Sequence, residues 1–145
     1  MAVKAQPDGY HAVTPTLVVD GAAKVIDFAT RTFGAQERMR MPTTDGKIAH
    51  AELEVGDSVI MVSDPMGDFP AAPGYLHVYV DDCDSVFKKA LAAGGKSQME
   101  PKDEFYGDRV GNVIDPCGNR WTISTHIEDV SEAEMEKRMA AMAPA

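Results

Sequence analysis

The chain has 145 residues, 44% of them hydrophobic, enough for one domain and one core without disulfides or a structural metal. Its 14 Lys and Arg against 23 Asp and Glu give a formal charge of −9, which repels nucleic-acid phosphate and anionic lipid and argues against nucleic acid as a partner. No apolar run approaches the roughly 18 residues needed to span a bilayer, the opening MAVKAQPDGYHAV lacks a signal-peptide pattern, and Cys83 and Cys117 stand too far apart for a CxxC site. The expectation is a cytoplasmic protein with reduced thiols and no membrane partner.

In chain order, Leu17, Val18 and Val19 read as a strand and Asp20 as a helix N-cap. Val25, Ile26, Phe28, Ala29 and Phe33 then make an apolar helical face that Gly34 ends. Residues 36 to 41 read as a weak strand. After the turn Thr43-Thr44-Asp45-Gly46, residues 48 to 55 alternate Ala49, Ala51, Leu53 and Val55 with His50, Glu52 and Glu54, and Gly56-Asp57 turns the chain into a strand over 58 to 63.

A loop rich in Pro, Gly and Ala over 64 to 74 separates this half from the next. Leu76, Val78 and Val80 alternate with Tyr75, His77 and Tyr79. Asp82 or Asp81 caps a helix carrying Val86, Phe87, Ala90 and Leu91, stopped by Gly94-Gly95. Strands follow near 97 to 100, 109 to 114 and 120 to 126. Ser131, three residues before Glu134, starts a final helix over about 131 to 142 whose Met135, Met139 and Met142 read as a packing stripe.

The two halves repeat. Val19-Asp20 with Val25-Ile26 reappears as Val80-Asp81 with Val86-Phe87, at an offset of 61 that also carries Gly34 onto Gly95 and Val59-Ile60-Met61 onto the strand at 120 to 123. The fold class expected is α+β, a single domain over 1–145 with two βαβββ modules, about 12–63 and 74–126, forming curved mixed sheets around a cavity.

The blocks YHAVTPTLVV, TRTFGA, MRMPTTDGKIAHAEL with GDSVIMVSD, LHVYVDD, and YGDRVGNVIDPCGNRWTISTH with EDVS, in this order, resemble the vicinal-oxygen-chelate superfamily of glyoxalase I, bleomycin-resistance proteins and extradiol dioxygenases. More narrowly, they are similar to its PhnB-like branch. The resemblance implies the glyoxalase/bleomycin-resistance fold. In metal-dependent members a side chain from the first and last strand of each module, usually His or Glu, binds a divalent ion. Those positions fall here on Thr14, Met61, Tyr75 and Thr122, two pairs related by the same offset. Hydroxyl, phenol and thioether are poor ligands for such ions, so neither a metal nor any other cofactor is expected there.

Strand parity turns the neighbours of these four toward the concave side. The expected ligand-binding set is Thr14, Thr16, His50, Met61, Ser63, Tyr75, Tyr79, Arg109, Thr122 and Ser124, with His77, His126 and Glu52 as candidates for catalysis. Each has a plainer reading: the imidazoles as hydrogen-bonding residues of a polar cavity, His50 and Glu52 as a solvated strand face, Arg109 as a structural partner of Asp108 or Asp115, and Cys117 as a turn residue. Two functions are carried forward. One is metal-free binding of a small polar or aromatic molecule, in a homodimer as bleomycin-resistance proteins do. The other is a lyase or isomerase-like enzyme using a displaced metal or His/Glu acid-base chemistry.

Overall fold

The computed structural model describes residues 2–142. Two four-stranded mixed sheets carry three helices. The first module runs β1 (Thr16–Val18), α1 (Ala22–Phe33), β2 (Gln36–Pro42), β3 (Ile48–Val55) and β4 (Ser58–Ser63); the second runs β5 (Tyr75–Tyr79), α2 (Cys83–Ala92), β6 (Lys96–Asp103), β7 (Asp108–Ile114) and β8 (Arg120–His126). Spatial order is β1-β4-β3-β2 in one sheet and β5-β8-β7-β6 in the other, each first strand parallel to its last and the rest antiparallel. Among the described residues no helix is long and apolar enough to cross a membrane.

The repeat is visible in the registers. Thr16 stands opposite Met61 in the first sheet and His77 opposite Thr122 in the second, a uniform shift of 61. The last hairpins differ by one residue. Val55 pairs with Ser58 across a two-residue turn, whereas Asp115 and Asn119 close a turn of three, Asp115 N–H donating to Asn119 O at 2.9 Å. The offset on β7 is therefore 60 rather than 61: Leu53 faces Ile60 where Val113 faces Trp121.

Helix capping also repeats, through residues that the local sequence does not mark. Asp20 does not cap α1. Gly21 takes the N-cap position at φ 107°, a left-handed conformation open to glycine, and Asp64, just past β4, accepts from Gly21 N–H (2.9 Å), Ala22 N–H (3.1 Å) and Ile48 N–H (2.8 Å). Shifted by 61, Thr125 accepts from Cys83 N–H at 2.8 Å and donates to Val80 O. Asp82 adds the ordinary cap at α2, accepting from Ser85 N–H. At the other end the two glycines divide the work: Gly94 supplies the positive φ, while a Cβ on Gly95 would meet Ala90 O at 2.8 Å and the Phe28 ring at 3.1 Å.

One core serves both modules. Leu17, Ala51, Leu53, Val55, Ile60 and Val62 face α1, and Leu76, Val113, Trp121 and Ile123 face Phe87 and Ala90 of α2, in a single cluster. The seam is aromatic: Phe28 and Phe33 of α1 lie 5.9 and 5.1 Å from Trp121 of β8. Trp121, fully buried, donates its indole N–H to Asp115, whose carboxylate also takes three donors from Cys117 and Asn119. Both cysteines are free.

The final helix, α3 (Glu132–Met142), starts where expected, with Ser131 Oγ accepting from Glu134 N–H. Its methionine stripe does not pack: Met139 and Met142 are 58% and 60% exposed. The helix is held instead by Arg138, which donates to Phe105 O and pairs with Glu128 and Glu134.

Candidate functional site

On β5 and β8, successive residues of one parity line up away from α2. His77 Nε2 lies 2.7 Å from the buried hydroxyl of Ser124, and the His77 and Tyr79 rings stack at 4.9 Å. Tyr79 donates its hydroxyl to Asp108 at 2.8 Å, and the other oxygen of that carboxylate meets His126 Nδ1 at 2.7 Å. His126 Nε2 continues to Asp129 at 2.8 Å, while Thr122 donates to Asn112 on β7. Six of the expected residues, Tyr75, His77, Tyr79, Thr122, Ser124 and His126, thus share one face of the second sheet.

Asp108, at the centre, is the residue that sequence reasoning passed over. It is 4% exposed. Burial raises its pKa, but hydrogen bonds from His126 and Tyr79 outweigh that and hold it below the usual carboxylate value. Asp129 and then Asp108 raise the pKa of His126, and Asp108 raises that of Tyr79. Gly107 makes the approach possible: Ile127 and Glu128 N–H both donate to its carbonyl, and a Cβ there would sit 2.1 Å from Glu128 O. A side chain at 107 would push away the segment that brings His126 and Asp129 to Asp108.

Arg109, expected on this face, lies on the other. Its guanidinium forks onto Asp84 of α2 at 3.0 to 3.1 Å and reaches Asp103 at 3.0 Å. The longer hairpin is the cause, because with one extra turn residue β7 follows β3 at an offset of 60, and each β7 side chain takes the face opposite to the one that a 61-residue shift assigns it.

The first sheet holds a separate polar group. His50 Nε2 lies 3.0 Å from Glu52, which faces Met61 across β4, and Thr16 Oγ1 lies 3.8 Å from the Met61 sulfur. Ser63, opposite Val18, belongs to the same face; Thr14 precedes β1 and donates to His11 O. The N-terminal segment covers part of it. Tyr10 hydrogen-bonds Glu52, and burial with that bond pushes its phenol up to about 12. Hydrogen bonds from Tyr10 and His50 in turn lower Glu52. Arg38 sits 5.3 Å over the Tyr10 ring and donates to Asp8 O.

A cleft of about 630 Å³ opens between the modules. Val13, Pro15, the β3–β4 turn and Ile60 line it from the first module and the run from Leu76 to Asp81 from the second, with Phe33 and Trp121 also in its lining. Of the expected residues it takes in His77 and Tyr79.

The divalent ion that the resemblance associates with metal-dependent members finds no fitting donor set at Thr14, Met61, Tyr75 and Thr122, whose oxygens and thioether do not suit it. The displaced set is not assembled either: Glu52 is engaged with His50 and Tyr10 on the first sheet, His77 with Ser124 and His126 with Asp108 on the second. Among the described residues no three His, Cys, Asp or Glu side chains are grouped to hold a metal ion.

Residues 10–123 match the family model described as the Glyoxalase/Bleomycin resistance protein/Dioxygenase superfamily. The chain is 33% identical to an uncharacterized protein of Mycobacterium bovis over 97% of each chain, and 33% identical to one of Mycobacterium tuberculosis over 97% of this chain and 87% of that protein. Its fold is similar to that of TioX from Micromonospora sp. ML1 (TM-score 0.66, 24% identity, 83% of this chain and 100% of that one). It is also similar to that of a PhnB protein from Bacillus cereus (TM-score 0.60, 21% identity, 79% and 99%).

Proposed function

The chain belongs to the glyoxalase/bleomycin resistance protein/dioxygenase superfamily, and from that premise we propose that it binds a small polar or aromatic molecule in the cleft between its modules, without a metal. The observation that carries this reading is the stacked His77–Tyr79 pair on the cleft wall, with His77 held by Ser124 and Tyr79 by Asp108. Stacked rings fixed by buried hydrogen-bond partners are an aromatic platform whose rotamers are set before a ligand arrives, which lowers the entropy cost of binding. The cleft volume lies in the range of small-molecule sites. The proposal includes a homodimer in the cytoplasm.

Titrating aromatic amines and alcohols against Trp121 emission tests it. Binding is expected in native protein, weaker in Tyr79→Leu and His77→Ala, and unaffected by dialysis against a chelator. Stoichiometric transition metal in protein purified without a His tag, or binding indifferent to both variants, would overturn it.

A second reading, acid-base chemistry of the lyase or isomerase kind, is favoured by the Tyr79–Asp108–His126 chain, in which a buried carboxylate orients an exposed imidazole whose pKa is held up by Asp129 and then by Asp108. If it is right, His126→Ala abolishes turnover of a bound substrate while leaving its affinity nearly intact.

A further inference from the structure

The cleft is lined by six consecutive residues, Leu76 to Asp81. Alternate residues of a strand face opposite ways, so a wall made of every residue is the strand's edge rather than its face. β5 is the terminal strand of its sheet, and among the described residues nothing pairs with its other side. The bonds to β8 come from the even-numbered residues: Arg120 N–H donates to Gly74 O and Val80 N–H to Ser124 O. The N–H and C=O groups of His77 and Tyr79 therefore point into the cleft, two residues and about 6.6 Å apart.

We propose that the cleft takes a short, extended, peptide-bonded ligand bearing positive charge, which adds as a strand to the free edge of β5. The inference rests on the ligand-binding reading above and names the class of ligand. An unpaired strand edge recognises a peptide backbone through main-chain hydrogen bonds, with flanking side chains choosing the sequence. Charge chooses the occupant. Asp57 and Asp81 lie on the two sides of the cleft and no Lys or Arg lines it, so a cation is attracted. A second copy of this chain, at −9, would bring its own carboxylates against these. The aromatic residues Tyr79, Phe33 and Trp121 in the lining suit a cationic or apolar side chain.

Amide hydrogen exchange followed by NMR tests this with an acetylated, amidated Val-Lys-Val-Lys-Val peptide. The expected result is slowing of exchange at the His77 and Tyr79 amides by about tenfold, the scale of one added hydrogen bond. A Val-Glu-Val-Glu-Val peptide and a peptide N-methylated along one edge should give no slowing, and the Asp57→Asn, Asp81→Asn double variant should weaken the basic peptide. Equal slowing by the N-methylated or the acidic peptide would overturn strand addition or its charge selection. So would β5 amides already slow in the free protein and faster on dilution, because a second copy would then hold the edge. 2-Phenylethylamine separates the two levels. If it perturbs Trp121 emission while the basic peptide leaves β5 unprotected, strand addition fails and the ligand reading stands; if neither molecule has an effect, both fall.

Discussion

Nδ1 of His126 lies 2.7 Å from Oδ1 of Asp108, joining an exposed imidazole to a buried carboxylate. His126 is raised in the folded chain, so its contribution to stability is fully present below its ordinary value of 6.5 and is lost as pH rises through the folded value. Asp108 is lowered, so its contribution is present above 3.8 and is lost as pH falls through its folded value. Asp108→Asn should bring the His126 titration, followed by NMR, back toward 6.5. An unchanged titration would mean that Asp129 alone holds the ring.

Asp64 ties the start of α1 to the start of β3 through three backbone donors. Asp64→Ala should cost about 3 kcal/mol in urea unfolding, as several buried N–H groups lose a charged acceptor, whereas Thr125→Val, at the repeat-related position, should cost about 1 kcal/mol. Asp64 is lowered in the folded chain, its backbone hydrogen bonds outweighing burial, so the difference between wild type and Asp64→Ala should shrink as pH falls through that lowered value. Equal costs for the two substitutions would contradict the capping account.

A Cβ on Gly111 would sit 2.8 Å from the Phe87 ring, which leaves no room between β7 and α2. Gly111→Ala should destabilise the protein by about 1–3 kcal/mol through overpacking. A neutral result in thermal unfolding would show that Phe87 can move aside.

Arg109 serves the attachment of α2 rather than the ligand. Arg109→Ala is expected to leave ligand affinity unchanged and to shift the urea unfolding midpoint only slightly, since the pair is partly exposed and screened by solvent. Affinity falling as far as in His77→Ala would return Arg109 to the binding site.

The edge strands β2 and β6 and the uncovered Met139 and Met142 of α3 leave surface for a second copy. Light scattering at micromolar concentration is expected to give a dimer that Met139→Lys with Met142→Lys weakens. A native protein that is monomeric throughout would remove the homodimer from the proposal.

The residues that could be read locally were read well. Alternation at Ala51, Leu53 and Val55 marks the same strand, Ile48–Val55, that forms, and the offset of 61 read from the repeat is the one that relates the Thr16–Met61 register to the His77–Thr122 register. What failed depends on where distant chain returns. Asp20 has the right chemistry for a cap, but the end of β4 delivers Asp64 to those amides instead. Asp108 was hidden behind its neighbour: one extra residue in the Asp115–Asn119 turn reverses parity on β7, sending Arg109 to α2 and Asp108 to His126. The length of that turn, compared with Gly56-Asp57, was the available signal. The methionines of α3 failed for a different reason, since helical spacing marks an apolar stripe without saying that anything in the same chain will cover it.

The aromatic seam between Phe28 and Trp121 bears on how the molecule comes apart. Each half of the repeat keeps its own sheet, yet cutting the chain in the 64–74 loop would expose Phe28 and Phe33 on one fragment and the fully buried Trp121 on the other. Neither fragment would then have a closed interior, and losing a buried aromatic partner costs about 3–5 kcal/mol, a large share of a small domain's total stability. The halves should therefore melt in one cooperative transition, and the cleft between them keeps its width because the two walls cannot hinge apart without breaking the interior that they share.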